Sequence, residues 1–385
     1  MAIFIIKYLR TIYISLNISK MNEIHTVEPA YHPKHKLGFL IDWLLTLKCN
    51  YDCTYCDISP KGHDNSRPHP STEKCITMLK QMYEYTDIMM QLKKTQFKDA
   101  ILNVYGGEAI YHPNITEILI RSTEEFRPYQ NRWRLQRRLT TNASALQHKW
   151  KAICEHIEGF TFSYHAESPP KHKPLFKKNI EHVLKIGKPH DIVIMMYPHD
   201  DHWQDCIDFL KYCQSNNLNV RPKLLDGGWL YEQKHLDELQ KYIPNDPAFK
   251  TVSNKVRIDK QTRGCCGGRP LCTNGNLKDA KGTVPRKQGF EGWHCSAHQF
   301  FLHGDCVNGL YYTNKDCRMK LDGTRGPIST IDTMPEYIES ISQKINSNSM
   351  PMLLCKQEIC TCGTCAPKSK HPENLQKILK VYNLN

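Results

Sequence analysis

Between residues 37 and 225 the chain alternates short apolar runs with longer amphipathic stretches, and this rhythm limits the fold more than any other feature. The clearest run is Asp191-Ile192-Val193-Ile194-Met195-Met196-Tyr197, apolar without alternation, as a strand covered on both faces requires. Residues 37–48, 100–105, 133–141, 159–164 and 218–225 read as further strands. Residues 71–91, 114–125, 146–156, 174–186 and 203–216 read as helices, the first capped by Ser71 or Thr72. Strands alternating with helices in this way predict an α/β fold with a mostly parallel sheet, helices on its outer face and right-handed crossovers. Ligands in such folds gather at the carboxyl ends of the strands.

A length of 385 residues allows a full core and more than one domain. Apolar content of 40% and charged content of 24% belong to an ordinary globular chain and argue against a disordered or fibrous one. The net charge of +13, spread along the chain, favours anionic partners such as nucleic acid, a nucleotide or an acidic peptide. Residues 1–19 carry the apolar Ile3-Phe4-Ile5-Ile6, but Lys7 and Arg10 interrupt it, so an extra strand or a disordered extension is expected rather than a membrane span. No other segment approaches membrane length.

Cysteine placement carries the chemistry. Three of the 17 cysteines, Cys49, Cys53 and Cys56, form a C-x3-C-x2-C loop at the end of the first strand. A tetrahedral zinc site or a closed [4Fe–4S] cluster needs four protein ligands, so three grouped thiols suggest a cluster with one iron left open. A zinc loop completed by a distant histidine is the alternative. Cys75, Cys154, Cys206 and Cys213 lie in helical stretches and read as buried packing residues. The other ten lie between Cys265 and Cys365 in a segment rich in glycine and proline, where strand–helix alternation stops. Metal ligation in a reducing cytoplasm explains this distribution better than disulfides.

The Cys49–Cys56 loop, with aromatic Tyr55 before the last cysteine, resembles the signature of the radical S-adenosylmethionine superfamily. Gly106-Gly107-Glu108, ending the next strand, resembles that superfamily's GGE element. The resemblance implies a partial (β/α)6 TIM-like barrel over residues 37–240, after an extension over 1–36 and before a small cysteine-rich domain over 241–385. It implies that Cys49, Cys53 and Cys56 hold three irons of a [4Fe–4S] cluster, with S-adenosylmethionine on the fourth. Tyr55, Asp57 and Ile58 would meet the adenine, and Gly106, Gly107 and Glu108 the methionine ammonium. Ser163, His165, Glu167, Tyr197, His199, Arg221 and Lys223 stand at or near strand ends as further candidates, solvated loop side chains being the alternative for each.

The later cysteines resemble the SPASM and twitch extensions that hold auxiliary clusters. Seven residues separate Gly309 from Cys317 where that pattern has four, and its central four-cysteine run is absent. One auxiliary [4Fe–4S] cluster is expected, or two, with ligands first among Cys295, Cys317, Cys362 and Cys365, then Cys360 and Cys355. A zinc knuckle at Cys360, Cys362 and Cys365 is the competing reading. The resemblance implies hydrogen abstraction from a peptide or protein side chain, with electrons from a flavodoxin or ferredoxin. The alternatives are modification of a nucleic-acid base or nucleotide, and a non-catalytic iron–sulfur or zinc protein.

Overall fold

The computed structural model describes residues 24–25, 38–56, 67–91, 99–225, 230–242, 255–257, 291–314, 318–347, 352–356 and 368–373. Six strands follow one another in the sheet in chain order and all run parallel: β1 (Phe39–Thr46), β2 (Asp99–Gly106), β3 (Arg134–Thr141), β4 (Gly159–His165), β5 (His190–Met196) and β6 (Val220–Leu224). A helix follows each: α1 (Thr72–Gln91), α2 (Ile115–Phe126), α3 (Gln147–His156), α4 (His172–Lys185), α5 (Asp200–Ser215) and α6 (Gln233–Tyr242). A strand order that never reverses, joined by right-handed crossovers, puts every helix on one face. These six units have the architecture of an incomplete (β/α) barrel, as the sequence predicts.

Strand alternation sorts the side chains. Ile41, Trp43, Leu45, Leu102, Val104, Leu139, Phe160, Phe162, Ile192, Ile194 and Met196 face the helices and are wholly buried. The other face carries Asp42, Asn103, Tyr105, Arg138, Thr140, Thr161, Ser163, Asp191 and Lys223, each only partly buried. A closed barrel fills its interior with layers of branched apolar side chains. Here the concave face is mixed: Leu40, Ile101 and Phe301 are buried under Phe300 and Leu353, and the polar, partly exposed side chains lie toward β3, β4 and β6.

The chain returns to this sheet late. Strand β7 (Phe301–Asp305) lies parallel to β1, Phe301 opposite Leu40 and Asp305 opposite Leu44, and the Leu40 N–H donates to the Phe300 carbonyl at 2.8 Å. β8 (Leu310–Tyr312) and β9 (Ser329–Thr330) extend the sheet antiparallel, making nine strands. Helix α7 (Met334–Asn346) packs beside α1, with Tyr337 stacked on Tyr85. β7 and β8 thus form a hairpin hydrogen-bonded into the barrel sheet.

The four helix cysteines are buried, as predicted. Ser71 Oγ accepts from the Lys74 N–H at 3.2 Å and caps α1. No described helix is long and apolar enough to cross a membrane.

Candidate active site

The carboxyl ends of β1 to β5 bring the candidate residues to one rim of the sheet. The loop after β1 holds Cys49 and Cys53 buried and Cys56 half-buried. Three neighbouring elements clamp it. From the loop after β4, Glu167 accepts from the Thr54 N–H at 2.8 Å and the Thr54 hydroxyl at 2.9 Å. Tyr197, just past β5, places its hydroxyl 2.9 Å from the same Thr54 oxygen. From the loop after β3, Asn142 donates to Asn50 at 3.0 Å, and Asn50 donates to Ser144 at 2.7 Å.

His165, the last residue of β4, sits under the loop. Its Nδ1 lies 2.9 Å from the Tyr55 hydroxyl and 3.6 Å from Cys53 Sγ, and its ring stacks on Tyr55. Tyr51 packs edge-on to His165 and stacks on His172. Burial pushes the Cys49 thiol well above its ordinary range and Cys53 up to about 12. Such thiols keep their protons at neutral pH unless a metal cation displaces them. Three soft donors with mutual electrostatic repulsion, on a loop fixed by its neighbours, fit a thiolate-bound iron–sulfur cluster. No group of three or more metal-ligating side chains, preassembled for an ion, occurs among the described residues.

Gly106 and Gly107 are glycine for a reason within the protein. A Cβ on Gly106 would stand 2.3 Å from the Thr46 carbonyl oxygen, and one on Gly107 would stand 2.5 Å and 2.6 Å from the Leu47 and Lys48 oxygens. The Gly107 and Glu108 N–H groups donate to the Thr46 and Lys48 carbonyls, both at 2.8 Å. The pair thus seats the backbone leading into Cys49. Glu108 is buried and accepts from the Ile110 N–H (3.1 Å), the Thr141 hydroxyl (2.9 Å) and the Asn142 N–H (2.5 Å). Burial raises its carboxyl to about 7 against these hydrogen bonds.

Of the remaining candidates, Ser163 lies two residues before His165 on the concave face. Arg221 reaches Asp191 at 3.4 Å, Lys223 is opposite Met195, and His199 is exposed at the start of α5. Asp57, Ile58, Cys265, Cys266, Cys272, Cys317, Cys360, Cys362 and Cys365 lie outside the described residues, as does nearly all of the 1–36 extension.

Cys295 and Cys355 are buried on neighbouring antiparallel strands, His294–Cys295 and Leu353–Leu354 with its continuation. Cys295 is opposite Leu353, and the Cys355 N–H donates to the Trp293 carbonyl at 2.8 Å. The two cysteines are therefore diagonal neighbours on one face. Cys306 is elsewhere: it is fully buried, accepts from the Trp43 indole N–H at 2.8 Å and faces Cys75. Its place in the core removes it from any grouping with Cys295.

Sequence patterning missed Asn50, Asn142, Ser144 and Asn179. Ala143 has φ of 49°, in the left-handed region, and the Asn179 amide donates to the Ala143 and Ala145 carbonyls at 2.7 and 2.8 Å. That buried amide holds the strained turn that offers Asn142 and Ser144 to the cysteine loop. An asparagine mid-helix on an otherwise apolar face was its only signal.

No protein-family model matches the chain, and no curated protein matches its sequence. Among solved structures it is similar to native anSMEcpe with bound AdoMet, at 15% identity over 72% of this chain and 74% of that one, with a TM-score of 0.43. It is also similar to BtrN in complex with AdoMet and 2-DOIA, at 13% identity over 84% and 93% of the two chains, with a TM-score of 0.34. At these values neither likeness speaks to chemistry.

Proposed function

We propose that this chain is a radical S-adenosylmethionine enzyme acting on a peptide or protein side chain. The supporting observation is the position of Cys49, Cys53 and Cys56 at the carboxyl-end rim of an incomplete barrel whose concave face carries polar, partly exposed side chains along β3, β4 and β6. A [4Fe–4S] cluster with S-adenosylmethionine on its open iron supplies reductive cleavage to methionine and a 5′-deoxyadenosyl radical, drawing electrons from a flavodoxin or ferredoxin. The protein's part is positional. Glu167, Tyr197, Asn142 and Ser144 fix the thiol-bearing loop, His165 supports Tyr55 and Cys53, and the glycine pair seats the backbone before Cys49. The Glu108 carboxylate keeps one acceptor position, on Oε2, beyond its three described donors, and this can meet an ammonium at the rim.

Cys295 and Cys355 are the described residues best placed to ligate an auxiliary cluster, with Cys317, Cys360, Cys362 and Cys365 as further donors in the sequence. Ten described cysteines are free thiols, which suits a reducing cytoplasm.

Anaerobic reconstitution tests this reading. Iron and sulfide should bind in preference to zinc, and a strong reductant with S-adenosylmethionine should yield 5′-deoxyadenosine. The Cys49/Cys53/Cys56→Ala triple variant should make none and keep only auxiliary iron. Wild-type protein that loads iron yet makes no 5′-deoxyadenosine refutes the assignment; zinc alone supports the metal-binding alternative.

A further inference from the structure

We infer that Arg138 is the receptor for a carboxylate on the substrate, most simply an acidic side chain of a peptide, held in the barrel lumen below the cysteine loop. The inference rests on the reading above for its substrate class. Three arginines lie on β3, and two hold acids: Arg134 pairs with Asp99 at 2.6 Å, and Arg137 pairs with Glu158. Arg138, half-buried on the concave face, meets no carboxylate among the described residues. Among the described residues its one hydrogen-bond partner is the Phe160 carbonyl, 3.4 Å from Nη2, although a guanidinium has five N–H donors.

Among the described residues, the surroundings supply no acid. Arg138 is opposite Gly159 on β4, and its Cγ and Nε lie 3.6 Å from where a Cβ of Gly159 would stand. The Arg138 side chain thus runs alongside the Gly159 backbone of β4, which places its Nη2 against the Phe160 carbonyl. The acids sharing this face are engaged elsewhere. Asp99 holds Arg134, Asp191 holds Arg221, Asp42 accepts from Asn103 at 2.9 Å, and Asp305 accepts from Asn308 at 2.7 Å. Asn103 also stands between Asp42 and Arg138 in the register.

A partly desolvated arginine without an acid is costly unless something anionic completes it. One guanidinium neutralises one carboxylate; a phosphate dianion needs a second cation, and here the nearest row neighbour on β2 is neutral Asn103. Arg138 precedes the end of β3 by three residues, about 10 Å along the strand. A side chain anchored there by its acid extends its methylenes toward the rim where Cys49 and Glu108 lie. That places an aliphatic C–H, rather than the acid itself, at the reacting end.

The test uses the full chain with reconstituted cluster and S-adenosylmethionine, titrated calorimetrically with N-acetyl-glutamate-N-methylamide and with its glutamine counterpart. Wild type should prefer the glutamate probe by roughly tenfold or more, equivalent to about 1.4 kcal/mol. Arg138→Gln should abolish the preference, and Arg134→Gln should retain it. Thermal unfolding and iron content establish that both variants fold and load. Equal affinity for the two probes, no binding of either, or a preference surviving in Arg138→Gln overturns the proposal. So does Arg138-dependent binding of inorganic phosphate without binding of the glutamate probe. The same samples assayed for 5′-deoxyadenosine report separately on the enzymatic reading, so the two can fail independently.

Discussion

Replacing Gly107 with alanine tests whether the glycine pair serves the cysteine loop. The added Cβ stands 2.5 Å from the Leu47 oxygen, 2.6 Å from the Lys48 oxygen and 2.8 Å from the Lys48 carbonyl carbon. All three are backbone atoms, so no side chain can swing away. Ordinary contact begins near 3.4 Å, and the strand end must therefore move by about 0.9 Å. Overpacking of this kind costs about 1–3 kcal/mol. The movement also stretches the bonds from the Gly107 and Glu108 N–H groups to Thr46 and Lys48, each contributing about 1 kcal/mol. The expected loss is about 3–5 kcal/mol in urea unfolding, with reduced iron binding because Cys49 follows Lys48 directly. Gly187→Ala is the control. Gly187 has φ of +69° and nothing within 4 Å of its would-be Cβ, so only strain applies, about 1–2 kcal/mol, with iron binding intact. A Gly107→Ala protein no less stable than Gly187→Ala, and fully loaded with iron, refutes the reasoning.

Three further outcomes follow from the contacts around the loop and the end of β1, where His69 Nδ1 lies 3.0 Å from the Thr46 hydroxyl. Asn179→Ala strips two buried carbonyls of their donor and should lower stability by about 2–4 kcal/mol in the same unfolding assay. Glu167→Ala should speed iron loss to a chelator while shifting the unfolding midpoint little, since its partner Thr54 is exposed; unchanged release kinetics contradict the clamp. Burial and the charge of His112 lower His69 from its ordinary 6.5 to about 4. As pH falls from 6.5 toward 4 the unfolded chain binds the proton first, so stability is lost across that window. His69→Gln should flatten this part of the stability–pH curve, and parallel curves for the two proteins refute the assignment.

The parallel core was legible because each strand carried its own apolar run and each helix its own periodicity. Asp191–Tyr197 and Ser71 are local signals, and strand β5 and the cap of α1 follow from them. The cysteine spacing likewise made Cys49, Cys53 and Cys56 conspicuous. What escaped were relations between distant residues. Cys306 is grouped with the C-terminal cysteines along the chain, yet Trp43 and Cys75 enclose it in the core. Nothing local in Phe301–Asp305 indicates pairing with β1. The packing of the glycine pair escaped too: at both positions a Cβ would meet the protein's own carbonyls, and a sequence shows that a Cβ is absent without showing what lies in its direction.

The pairing of β7 with β1 has a consequence for how the chain is made. A ribosome must add roughly 260 residues after Leu40 before its lateral partner Phe301 exists. Until then β1 presents an unpaired edge beside a thiol-rich loop, during tens of seconds of synthesis at ordinary rates. The closing step joins sequence-distant segments and is intrinsically slow. Newly made chains should therefore pass through a form whose six parallel strands are assembled while the edge of β1, the strand that leads into the cysteine loop, is still open.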